Sequence, residues 1–147
     1  MIPSLNAVGE LPAGVHATTL EEVEAVFAKT PKRRTLFEGL KRTLENLKGA
    51  GVRRVYIDGS FVTDKVEPND IDGCWEITEH VRIEEIDPVF LELPESRNAM
   101  KEKYGVDLFL ASWVEAGSGL PFVEFFQISR EGKNKGILVI ELGESDD

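Results

Sequence analysis

The sequence predicts an α/β (α+β) domain, a mixed β-sheet of about four strands flanked by helices. Three observations carry that expectation. Apolar, β-rich runs recur at 52–58, 70–78, 106–110 and 136–142, each bounded by glycine or polar residues. Leu36, Leu40, Leu44 and Leu47 repeat at helical spacing between the first 50 residues' turn signals. A second helical segment, 96–104, ends at Gly105 immediately before a strand-like run. With 147 residues the chain reads as a single domain, 1–147, opened by an extended lead-in over 1–18.

Taken in order, the lead-in holds Pro3, Gly9, Pro12 and Gly14, and its apolar residues place it across the domain. His16 lacks an identifiable catalytic partner and reads as a hydrogen-bonded structural histidine. Thr19 with Glu22 has the capping-box spacing, predicting a short helix from Leu20 to Phe27 that buries Leu20, Val23 and Phe27. Thr30-Pro31 opens the strongest helix, which Gly49-Ala50-Gly51 closes. Its basic residues, Arg33, Lys41, Arg42 and Lys48, fall largely off the leucine stripe. After the strand at 52–58, Phe61 and Val62 begin a short helix. Residues 79–94 are acidic and mixed, anchored by Val81, Ile83, Ile86, Val89, Phe90, Leu91 and Leu93. A helix over 120–129 with Pro121 near its start, a basic turn over 130–135 and an acidic tail over 143–147 complete the reading.

The chain carries a net charge of −10, which argues against a generic nucleic-acid binder. The distribution is uneven. Nine of the 17 basic residues stand between Lys29 and Arg54, against two acids there, Glu38 and Glu45. The helix over 31–48 is thus either a docking face for a protein partner or polyanion, or a solvated basic face. No apolar run is long enough to span a bilayer, and the first residues carry no signal-peptide pattern, so no membrane is expected and the cytoplasm is the expected location. Cys74, the single cysteine, cannot form an internal disulfide and reads as a core residue.

The stretch from Val55 to Trp75 carries the chemistry. An apolar strand leads into Gly59-Ser60, a polar loop follows, and Asp70-Ile71-Asp72 opens a second strand. Asp70 and Asp72 stand two apart, so an extended backbone projects both carboxylates from one face. Two like charges held that close favour a divalent cation between them. Gly59 removes bulk where a phosphate would approach the backbone, and Ser60 stands near a helix N-terminus, where free amides favour an anion. Pro68-Asn69-Asp70 also reads as simple turn chemistry; the combination of strand, Gly-Ser, spacing and paired carboxylates favours a site. Asp107 interrupts the apolar run 106–110, which is costly unless the carboxylate is paired, metal-bound or at a wet strand end.

These elements resemble the active-site signature of the polymerase-β-type nucleotidyltransferases. The chain is most similar to a small bacterial family of unassigned role on that fold, through Gly59-Ser60-Phe61-Val62-Thr63, Lys65-Val66-Glu67-Pro68-Asn69-Asp70-Ile71-Asp72 and Lys135-Gly136-Ile137-Leu138-Val139-Ile140. More distantly it resembles the minimal nucleotidyltransferases of toxin–antitoxin systems. The resemblance implies a nucleotidyltransferase-like sheet and transfer of a nucleoside monophosphate from a nucleoside triphosphate to a protein or tRNA acceptor. The role would be that of a toxin–antitoxin or phage-defence component. It implies Mg²⁺, replaceable by Mn²⁺, in a two-metal site on Asp70, Asp72 and Asp107. Gly59, Ser60, Thr63, Lys65 and Lys135 would hold the nucleotide. A catalytically weak nucleotide-binding regulator, or an interaction module on the same fold, is the alternative.

Overall fold

Thr30 caps the longest helix as its sequence requires: its hydroxyl accepts from the Arg33 amide at 3.2 Å, with Pro31 at the first helical position. The computed structural model describes residues 1–91, 98–129 and 131–142. Four helices are described: α1 (Leu20–Phe27), α2 (Pro31–Gly49), α3 (Asn98–Tyr104) and α4 (Phe122–Phe125). Thr19 likewise caps α1, accepting from the Glu22 amide. Five strands, β1 (Gly14–Thr18), β2 (Arg54–Asp58), β3 (Ile71–Trp75), β4 (Val106–Leu110) and β5 (Gly136–Glu141), form one mixed sheet in the order β1-β5-β2-β3-β4. β1 runs parallel to β5 and β3 parallel to β4, while β2 is antiparallel to both β3 and β5.

The sheet therefore has five strands rather than about four. The extra one comes from the lead-in, where Gly14–Thr18 pairs with Gly136–Ile140 of β5. That segment alternates apolar and polar too weakly to announce a strand; β5 supplies the hydrogen-bond partners that make it one. The His16 Nε2–H donates to the Pro12 carbonyl oxygen at 2.7 Å, which fits its structural reading. The expected helix over 120–129 shrinks to α4, and the expected strand over 70–78 to β3. The segment after Leu91 is described from Asn98 onward, so Leu93, Ser96 and Arg97 lie outside the described residues, as do Arg130 and the tail. Ile83, expected as an anchor, is 43% exposed, whereas Ile86 and Phe90 are buried. Leu20 is half-buried.

The two faces of the sheet differ. One is covered by α1, α2 and α3: Leu36, Phe37, Leu40, Leu44 and Leu47 pack with Val55, Ile57, Ile71, Trp75, Leu108 and Leu138 in one core. Gly39 lets α2 approach α3 closely, since a Cβ there would meet the Tyr104 carbonyl. The other face carries a smaller cluster of Tyr56, Cys74, Ile137 and Val139 under Ala111 and Phe122, with Phe109, Phe125 and Phe126 packed at its margin. Alternation along the strands puts Asp58, Asp72 and Asp107 on this second face, one pleat beyond Tyr56, Cys74 and Phe109. Among the described residues no helix is long and apolar enough to cross a membrane.

Candidate functional site

Register assembles the acidic centre. Asp58 of β2 stands opposite Asp72 of β3, and Asp72 stands opposite Asp107 of β4, so three neighbouring strands present a carboxylate in one row. Asp70, in the bend that enters β3, joins the row from its end. One oxygen from each of Asp70, Asp72 and Asp107 lies within 4.8 Å of the others. Proximity and burial act together on Asp72: desolvation first, then the charges of Asp70 and Asp107, push its carboxyl up to about 8. The Lys101 ammonium, on α3, lies 3.8 Å from Asp70 and 3.7 Å from Asp107. It offsets part of the repulsion that the row creates.

The donor set fits a hard divalent cation. Three carboxylate groups gathered on a half-buried sheet end are the oxygen donors that Mg²⁺ or Mn²⁺ takes, with Asp72 giving up its proton on binding.

Gly59 joins the turn to the acidic row. Its φ of 84° lies in the region open to glycine, and a Cβ there would stand 2.5 Å from Asp72 Oδ2. The missing side chain is thus what lets the Asp72 carboxylate lie against the Gly59-Ser60 turn. A short 3₁₀ turn, Ser60–Val62, follows, with Phe61 and Val62 buried as the sequence implies. The Thr63 hydroxyl donates to the Ser60 carbonyl at 2.7 Å and accepts from the Lys65 amide at 3.2 Å. Its contacts shape the turn, so its part in holding a ligand is indirect.

The turn is also held from below. Arg33, which the sequence places on the basic face of α2, is in fact 5% exposed. Its guanidinium donates to the carbonyls of Phe27 (3.1 Å), Phe61 (2.7 Å), Ser60 (3.3 Å), Thr63 (2.9 Å) and Lys65. It also lies over the Phe61 ring. Burial lowers its pKa and Asp64 opposes that shift. Arg33 belongs to the row Arg33, Phe37, Leu40, Leu44, Leu47, which is the buried stripe. Lys32, Arg34, Lys41, Arg42 and Lys48 remain exposed.

A cleft of about 610 Å³ opens beside the acidic row. Gly59, Ser60, Thr63 and Lys65 form one side, with Asp58 and Asp72 at its end; Asp70 and Asp107 lie just outside it. Lys135, just before β5, also lines the cleft and pairs with Asp58 at 3.2 Å. Burial raises the Asp58 pKa, and Lys135 pulls it back. Glu10 and Val8 of the lead-in, then Phe125, Phe126 and Ile128, complete the walls.

Of the residues expected at a site, Asp70, Asp72 and Asp107 come together, and Gly59, Ser60, Thr63, Lys65 and Lys135 line the adjoining cleft. Sequence reasoning missed Asp58, Lys101, Arg33 and the two phenylalanines. Asp58 had a signal, being a lone carboxylate ending an apolar strand like Asp107 beginning one. Arg33 had one in its helical spacing to Phe37. Lys101 had none.

No curated protein and no solved structure matches this chain. Residues 3–141 match the model of a family of unknown function, DUF6932, and the chain belongs to that family.

Proposed function

We propose that this protein is a Mg²⁺-dependent nucleotidyltransferase, moving a nucleoside monophosphate from a nucleoside triphosphate to a protein or tRNA acceptor. The observation that carries the reading is the juxtaposition at Gly59, where a tight turn lining the cleft lies against Asp72, the member of the Asp70–Asp72–Asp107 cluster that reaches into that cleft. Mg²⁺ bound there supplies charge neutralisation for the triphosphate and the leaving group. Asp70, Asp72 and Asp107 would hold it, and Mn²⁺ would serve in its place. The amides of the Gly59–Ser60 turn, with Lys65 and Lys135, bind the β- and γ-phosphates. The acceptor's hydroxyl oxygen attacks the α-phosphorus, its proton passes to Asp107, and the bond from the α-phosphorus to the bridging oxygen breaks, releasing pyrophosphate.

A second reading, a nucleotide-binding regulator with little turnover, is favoured by one contact: Lys101 occupies the carboxylate row where a cation would compete with it. One experiment separates the two. With Mg²⁺, α-labelled triphosphate should label a protein or RNA in a lysate, γ-labelled triphosphate should not label that acceptor, and Asp70→Asn should abolish transfer. Label from the γ position alone refutes transfer of the nucleotidyl group. Metal-dependent triphosphate binding with no label from either position selects the regulator.

A further inference from the structure

The cleft has two chemically different parts. Its turn side, from Gly59 to Lys65, presents amides, hydroxyls and a lysine, and ends at carboxylates. Phe125, Phe126 and Ile128 line the cleft too and supply its apolar part. The two rings are half-buried, 5.8 Å apart, and held from behind: Phe125 meets Phe122 edge-on at 6.1 Å, and Phe126 lies 5.7 Å from Phe122 and 6.1 Å from Phe109. Phe109 in turn stacks on Phe122 at 4.1 Å. The rings are therefore a backed, pre-positioned surface rather than loose side chains, and Ile128 beside them is 37% exposed. An apolar aromatic wall left partly wet inside a polar cleft is a surface that a flat apolar group would cover with gain.

We propose that Phe125 and Phe126 form the platform on which the nucleobase stacks. This deepens the nucleotidyltransferase reading and rests on it: with the phosphates on the Gly59–Lys65 turn, the base is the remaining part of the substrate, and it is the part with an aromatic face. Glu131 and Lys135 both line the cleft, and Lys135 is drawn toward Asp58 at 3.2 Å. Aromatic stacking accepts every base, because each has a π-face, and purines present the larger one. The α4 segment would thus supply nucleotide affinity from within this domain.

The test compares Mg²⁺-ATP with Mg²⁺-tripolyphosphate by calorimetry on the full chain. Wild type should bind ATP more tightly than tripolyphosphate. The double variant Phe125→Leu/Phe126→Leu keeps apolar volume in the cluster but removes the π-faces. It should lower ATP affinity about 5- to 100-fold while leaving tripolyphosphate affinity unchanged. Phe125→Tyr/Phe126→Tyr should restore most of the ATP affinity. Should the double leucine variant fail to fold, Phe125→Leu alone carries the comparison, since Phe126 has the greater number of ring neighbours. If both ligands bind and the leucine variant leaves their ratio unchanged, the platform is overturned and the phosphate site stands. If neither ligand binds wild type, the platform and the nucleotide reading fall together.

Discussion

Arg33→Ala removes a side chain that satisfies five carbonyls at once, and the cost can be worked from those partners. The acceptors on Phe27 and Phe61 are buried, while those on Ser60, Thr63 and Lys65 are nearer solvent. Water can replace the guanidinium at the outer three. The inner two are stranded, each at about 1–3 kcal/mol. Loss of the ring contact with Phe61 adds to this, and relief of the guanidinium's desolvation subtracts from it. The net expectation is a loss of about 3–5 kcal/mol of unfolding free energy. For a chain of 147 residues that corresponds to a fall in Tm of roughly 10–15 °C. Urea unfolding followed by circular dichroism measures the free energy, and a thermal scan measures Tm. Arg33→Lys keeps the charge but has no planar fork, so it should recover less than half of the loss. An Arg33→Ala variant within about 1 kcal/mol of wild type, with an unchanged urea slope, would refute the idea that this guanidinium holds the turn.

Two further outcomes follow from the acidic row and its turn. In the folded, metal-free protein burial and the neighbouring carboxylates push the Asp72 carboxyl up to about 8, from an ordinary value of 3.8. The folded state therefore binds the extra proton between those values, so this group's stabilisation is full below the lower value and is lost as pH rises through the higher one. In a chelator, the stability difference between wild type and Asp72→Asn should move steadily against wild type from about pH 5 to pH 8. Mg²⁺ with triphosphate should then raise the Tm of wild type but not that of Asp70→Asn/Asp72→Asn. A difference independent of pH, or an equal metal shift in both proteins, counts against the row as a cation site. Gly59→Ala places a Cβ at 2.5 Å from Asp72 Oδ2 and strains a φ of 84°. It should cost about 1–3 kcal/mol in the metal-free protein and weaken Mg²⁺-triphosphate binding, both read from melting curves with and without ligand. Unchanged melting in both conditions would dissociate the turn from the carboxylates.

Local pattern determined much of this protein. Thr19, Thr30-Pro31 and the leucine spacing placed α1 and α2 within a residue, because capping and helical periodicity act over single turns. The run Val106–Leu110 and the pair Asp70 and Asp72 were equally plain, since period-2 alternation needs no distant partner to be visible. Tertiary structure decided the rest. Gly14–Thr18 became a strand only through β5, more than a hundred residues away in sequence. Asp58 and Asp107 entered one row because β2, β3 and β4 pair in one register, and a shift of one residue would turn each carboxylate to the opposite face. Arg33 left its apparent basic face because the carbonyls it meets belong to a turn about thirty residues on, whose path no helical pattern encodes. Phe125 and Phe126 read as ordinary helix residues until the packing of Phe109 and Phe122 behind them set their rings in the cleft wall. Each of these depends on a contact between segments far apart in the chain, and the free energy that selects it comes from burial and pairing in the assembled sheet.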